Sequence, residues 1–138
     1  MKSKNCLIIT LLLLALLSTA CTQAAPVYAA GSEKEQAVAA AAPLAKEILD
    51  GMQQNDYALF SKDFDAAMLK SLPQSSFATM LKTFSAYGAF KSSDLINVEI
   101  VENYYSAAYK LTYANQILTM RVVFPKSGKP QVSGLWFK

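Results

Sequence analysis

The chain has 138 residues, with 13 Lys and Arg against 10 Asp and Glu, two cysteines and no histidine. That length allows one domain behind a short leader, and a net charge of +3 with no basic run argues against nucleic acid as a partner. Without histidine, Ser-His-Asp and Cys-His catalysis and most zinc sites are excluded.

The chain opens with Lys2 and Lys4, then an uncharged apolar run from Cys6 to Ala20. A spanning helix needs about 20 apolar residues, so the run suits the core of a secretory signal better than a membrane anchor. Residues 1–20 are therefore expected to be a signal peptide. Leu17-Ser18-Thr19-Ala20-Cys21 resembles the lipobox of bacterial or archaeal lipoproteins, with Ser18 where the common pattern has Leu. The resemblance implies cleavage before Cys21 and a diacylglycerol on its thiol. It would place the chain outside the cytoplasm, lipid-anchored to the cell membrane or the outer membrane. Ordinary cleavage after Ala25 or Ala29 is the alternative. Residues 21–32 are small and uncharged and read as a flexible tether. With Cys6 lost in the leader and Cys21 acylated, the domain would hold no disulfide and would depend on its core.

Residues 33–138 are expected to form the domain, long enough for one core. Loss of Lys2 and Lys4 brings its charge down to +1, from eleven basic and ten acidic residues. Ser32 and the acids after it read as a helix start. Val38, Ala41, Ala45, Ile48 and Met52 then recur at helical spacing. Pro43 must kink this helix or start its firm part, and Gly51 marks its end. Asn55 or Asp56 can cap a second helix, with a break near residues 63–65 and a stop at Pro73. Ser75 or Ser76 can cap a third, carrying Phe77, Met80, Leu81, Phe84 and Tyr87 on one face and ending at Gly88.

From Asp94 the apolar period changes to two. Strands are predicted over 94–102, 104–113, 116–125 and 131–137, joined by short connections and so antiparallel. A turn at Glu102-Asn103 sets Ile100 against Tyr105, Val98 against Ala107 and Ile96 against Tyr109. A turn at Ala114-Asn115 sets Leu111 against Leu118, Tyr109 against Met120, Ala107 against Val122 and Tyr105 against Phe124. Both choices make one face apolar, and a slip by one residue would mix the faces. The opposite face is half polar. Gly134 could be a bulge that rotates Leu135, Trp136 and Phe137, so the face of Trp136 stays open.

The possible acids and bases are Asp50, Asp56, Asp63, Asp65, Asp94, Glu99 and Glu102, which read best as caps and solvated surface. Asp63 and Asp65 diverge on a helix, and no calcium loop fits their spacing. No metal site and no cofactor is expected. Tyr109, Tyr113, Met120 and Trp136 are the candidate lining of a pocket for an apolar small molecule. Lys110, Thr119 and Arg121 lie on the other sheet face and are the candidate contact of a homodimer.

The segments Ile48–Tyr57, Asp63-Phe64-Asp65, Tyr87–Lys91 and Gly134–Phe137 resemble the domain-of-unknown-function family 3887, which is similar to the nuclear-transport-factor-2-like, cystatin-like α+β roll. The resemblance implies a curved four-stranded antiparallel sheet with three N-terminal helices on one face and a cone-shaped cavity between. It supplies no catalytic residues. The expected function is non-catalytic binding of a ligand or protein by a lipid-anchored domain. The alternatives are an enzyme or small-molecule carrier using the cavity, or an accessory domain to a hydrolase.

Overall fold

The computed structural model describes residues 25–138. The expected leader and Cys21 lie outside the described residues. The elements in order are β1 (Val27–Tyr28), α1 (Gly31–Gln54), α2 (Tyr57–Phe60), α3 (Ala66–Ser71), α4 (Gln74–Phe84), β2 (Phe90–Val101), β3 (Tyr104–Tyr113), β4 (Ile117–Pro125) and β5 (Gly134–Phe137). The strands pair antiparallel in chain order, as a meander of five rather than four. Among the described residues the α-helices number four rather than three, because the second predicted helix breaks into α2 and α3.

The additional strand is β1, which sets Val27 against Ile100 and Tyr28 against Glu99. Together with the first two residues of α1 it falls inside the span 21–32 that composition assigns to the tether. The fold therefore begins before Glu33. Two paired residues are too short a run for periodicity to register.

Helix α1 runs through Pro43. Pro43 and Ala39, whose carbonyl the missing donor would have met, are both on the exposed side, so the lost bond is not buried. The helix ends beyond Gly51, at Asn55. Asn55 is left-handed (φ 54°), its N–H donates to the Met52 carbonyl, and the Asp56 N–H donates to the Gly51 carbonyl. That is a Schellman end with Asn in place of the usual Gly. Gly51 has another purpose. A Cβ there would collide with the backbone of Phe60, so its absence lets α2 cross close above α1.

The short helices are capped as acids near a helix start should be. The carboxylate of Asp56 accepts from the Leu59 N–H, and that of Asp65 from the Met68 N–H. Pro73, rather than Ser75 or Ser76, takes the position before α4. Between α2 and α3, Phe64 bridges to Val132: the Asp65 N–H donates to the Val132 carbonyl, and the Val132 N–H to the Asp63 carbonyl. This clip ties the helical layer to the loop before β5.

The β3–β4 register is the predicted one, with Tyr109 opposite Met120 and Ala107 opposite Val122. In β2–β3, Ile100 meets Tyr105 and Val98 meets Ala107, but Leu95, not Ile96, meets Tyr109. Ile96 is the extra residue of a β-bulge and is left exposed; a second irregularity sits at Lys91. Bulges bend and twist a strand, and these two curl β2 around α1. Tyr109, Leu111, Met120, Val122 and Phe124 face Ala37, Ala41, Ala45 and Ile48 in a single core. The alanines let the helix lie close to the sheet.

Strand β5 pairs regularly with β4, so Gly134 is not a bulge. The indole of Trp136 folds back over the Gly134 Cα, where a Cβ would collide with it. Leu135 and Phe137 pack inward, and Trp136 lies on the outer face, 52% exposed.

Candidate binding cleft

Beyond the C-terminal end of α1 the two layers part. Phe84 and Leu81 from α4, Met52 from α1, Phe90 from β2 and Tyr113 from β3 floor an open cleft of about 650 Å³. Gln53, Asn55, Lys82 and Ser85 supply polar groups along it. The aromatic floor is internally braced. The Phe84 ring stands edge-on to Tyr113 at 5.8 Å and to Phe137 at 4.9 Å, and Phe90 meets Tyr113 at 5.4 Å. Edge-to-face geometry holds such rings in fixed positions.

Gly88 makes this end of the molecule possible. Its φ of 79° with ψ −164° is a backbone conformation open to glycine, and a Cβ would press on Ala114 at 2.9 Å. The chain there turns from α4 into β2 against the β3–β4 turn, with the Asn115 N–H donating to the Tyr87 carbonyl.

A second, smaller groove of about 260 Å³ lies on the other side of Gln53 and Phe90. Ala45, Lys46, Asp50, Ser93 and Tyr109 line it. Asp50 is paired with Lys46 one helical turn away. The hydroxyl of Tyr109 is buried with no hydrogen-bond partner among the described residues, and burial pushes its pKa up. Tyr113 is pushed up as well, by burial first and by the neighbouring Tyr87 second.

The four residues predicted to share a pocket are thus dispersed. Tyr113 floors the main cleft, Tyr109 lines the smaller groove, and Met120 is sealed in the core. Trp136 belongs to neither, since alternation along a regular β5 sends it outward when Phe137 goes in. The lining from α1 and α4 was not singled out by sequence reasoning. The available signal was the aromatic group Phe84, Tyr87 and Phe90 flanking Gly88.

On the outer face Arg121 Nη1 donates to Glu99 Oε2 at 3.1 Å and to Ser106 Oγ at 3.3 Å. Lys110 is 3.7 Å from Asp94, and the Thr119 backbone pairs with Lys138. Lys110, Thr119 and Arg121 do share this face, but Arg121 is bonded within its own sheet. Other carboxylates are paired with lysines: Glu47 with Lys62, its second oxygen buried with no partner among the described residues, and Glu33 with Lys126 at 2.9 Å. Among the described residues no three His, Cys, Asp or Glu side chains gather as a metal site, and no helix is long and apolar enough to cross a membrane.

The molecule is therefore an α+β protein whose curved, unclosed antiparallel sheet carries helices on one face and an aromatic-floored cleft at one end. Residues 45–135 match the family described as Protein of unknown function (DUF3887), and the chain belongs to that family. No curated protein and no solved structure was found to match it.

Proposed function

We propose that this protein is a lipid-anchored, extracytoplasmic binding domain, non-catalytic, that takes an apolar small molecule in the cleft between α1, α4 and the ends of β2 and β3. The observation that carries this reading is the composition of the cleft. Its floor is aromatic and aliphatic, its polar groups are two amides, the hydroxyls of Ser85 and Tyr113 and one ammonium, and no carboxylate lines it. Such a site favours a ligand with an apolar body and a hydrogen-bonding end. The curved sheet over α1 supports, in the same reading, a likeness to nuclear-transport-factor-2-like rolls. Cys21 within Leu17–Cys21 supports the anchor.

An enzymatic use has weaker support. Asp50 lines the neighbouring groove rather than the cleft and is held by Lys46. A homodimer through the outer sheet face draws support from the exposed Trp136 and Ile117 there.

A thermal-shift screen of apolar compounds tests the cleft, because a ligand selective for the folded state raises its melting temperature. Ala78→Trp, at an exposed position lining the cleft, fills it from the rim. It should abolish the ligand-induced shift while leaving the ligand-free melting temperature in place. A compound that stabilises both forms equally binds elsewhere and refutes the assignment. Cys21→Ser should release the protein from the membrane and remove the acyl mass.

A further inference from the structure

Strand β1 decides where the chain leaves the fold. Antiparallel pairing of Val27 with Ile100 carries the chain before it toward Val101 and the Glu102-Asn103 turn. Eight large apolar side chains stand exposed among the described residues, and four of them are at this corner. They are Val27 (60%), Tyr28 (50%), Val101 (46%) and Tyr104 (40%). Tyr28 shares the outer face with the Val101–Tyr104 pair, and Val27, opposite Ile100, projects to the other side of the edge strand. The charges nearby are balanced or sparse: Lys126 is bound to Glu33, Glu99 opposite Tyr28 is bound to Arg121, and Glu102 sits in the turn itself.

The reach of the chain names the occupant. Cys21 is six residues before Val27. Six residues span about 20 Å fully extended and about 13 Å as a flexible coil. Helix α1, with 24 residues, is about 36 Å long. A tether shorter than the domain keeps this pole next to the bilayer, at high effective concentration. Tyrosine and aliphatic side chains are the groups that settle at a membrane–water boundary.

We propose that Tyr28, Val101 and Tyr104 form a membrane-docking surface that seats the domain on the lipid bilayer. This rests on the acylation of Cys21 put forward above. The contact is apolar, so it needs no anionic lipid and resists salt. Glu33, near the start of α1, touches Tyr105 and Lys126 at the docked pole, while Met52 to Asn55 at its far end border the cleft. The cleft then opens away from the bilayer, toward water-borne ligands.

The test uses the full acylated chain in phosphatidylcholine vesicles, with an environment-sensitive fluorophore on Val101→Cys or, at the opposite pole, on Ile117→Cys. The acylated Cys21 leaves no other thiol in the processed chain. Emission at position 101 should rise severalfold and shift to the blue in low and in molar salt, with position 117 unchanged. Adding Tyr28→Ser and Tyr104→Ser should remove that rise while the chain stays with the vesicles. A vesicle-bound chain with no rise at 101, or a rise that survives both serines, overturns the docking and leaves the anchor standing. A chain that stays in the aqueous fraction without acyl mass overturns both.

Discussion

The hydroxyl of Tyr109 gives the sharpest check on the core. The residue is 7% exposed, it stands between Leu95 and Met120 in the sheet, and its oxygen has no partner among the described residues. A buried polar group without a partner costs about 1–3 kcal/mol. Tyr109→Phe deletes that group and keeps the ring. It should therefore stabilise the domain by about 1 kcal/mol, equivalent to a rise in melting temperature of about 4 °C or more for a domain of this size. Urea titration measures the change, with an unchanged slope showing that the unfolded state is not altered. Tyr105→Phe is the matched control. Its hydroxyl donates to Glu33 Oε1 at 3.0 Å, so its loss should destabilise. The pH dependence carries the same sign. Burial raises the Tyr109 pKa above its unfolded value, so ionisation costs the fold nothing below about pH 10 and stability is lost as pH climbs toward the higher folded value. Stability of Tyr109→Phe should then fall less steeply in alkali. If the variant melts below the parent protein, the hydroxyl has a partner in solution and the reasoning is wrong.

Gly51→Ala should cost about 3 kcal/mol or more, because the new methyl meets the backbone of Phe60, which cannot rotate away; calorimetry would show it, and a loss below 1 kcal/mol would contradict the close crossing of α1 and α2. Asp65→Ala should cost about 1 kcal/mol through loss of the cap on α3. The Met68 N–H holds the Asp65 carboxyl below its usual range, and the Lys126 ammonium, with Tyr105, does the same for Glu33. Both contributions are present above about pH 4 and vanish as pH falls through the lowered folded values. The acid limb of a stability–pH curve should thus flatten in Asp65→Ala.

Much of the sheet could be read from the chain because a period-two pattern has only two faces. Once Ala114-Asn115 was placed as a turn, Leu111, Tyr109, Ala107 and Tyr105 had determined partners across β4. The same logic failed at Ile96. A bulge adds a residue without changing the apolar character of the segment, since Leu95 and Ile96 are equally suited to the inner face. Only the need to curl around α1 separates them. The acids were legible as caps because capping is local, and Asp56 and Asp65 each reach an N–H three residues on. Pro43 left two outcomes open, a kink or a helix start, and α1 does not start there, because the cost of a proline within a helix depends on which side of the helix loses its bond.

The cleft was not legible, since its walls come from residues 52–55, 78–85, 88–90 and 113, brought together by tertiary packing. The amino-acid order alone determined the class of fold, the apolar sheet face and most of the strand register, because each follows from side-chain periodicity and short turns. Three-dimensional packing decided the bulges, the outward turn of Trp136 and the docking of β1. Those depend on how large groups share space, and that is a property of neighbours rather than of sequence.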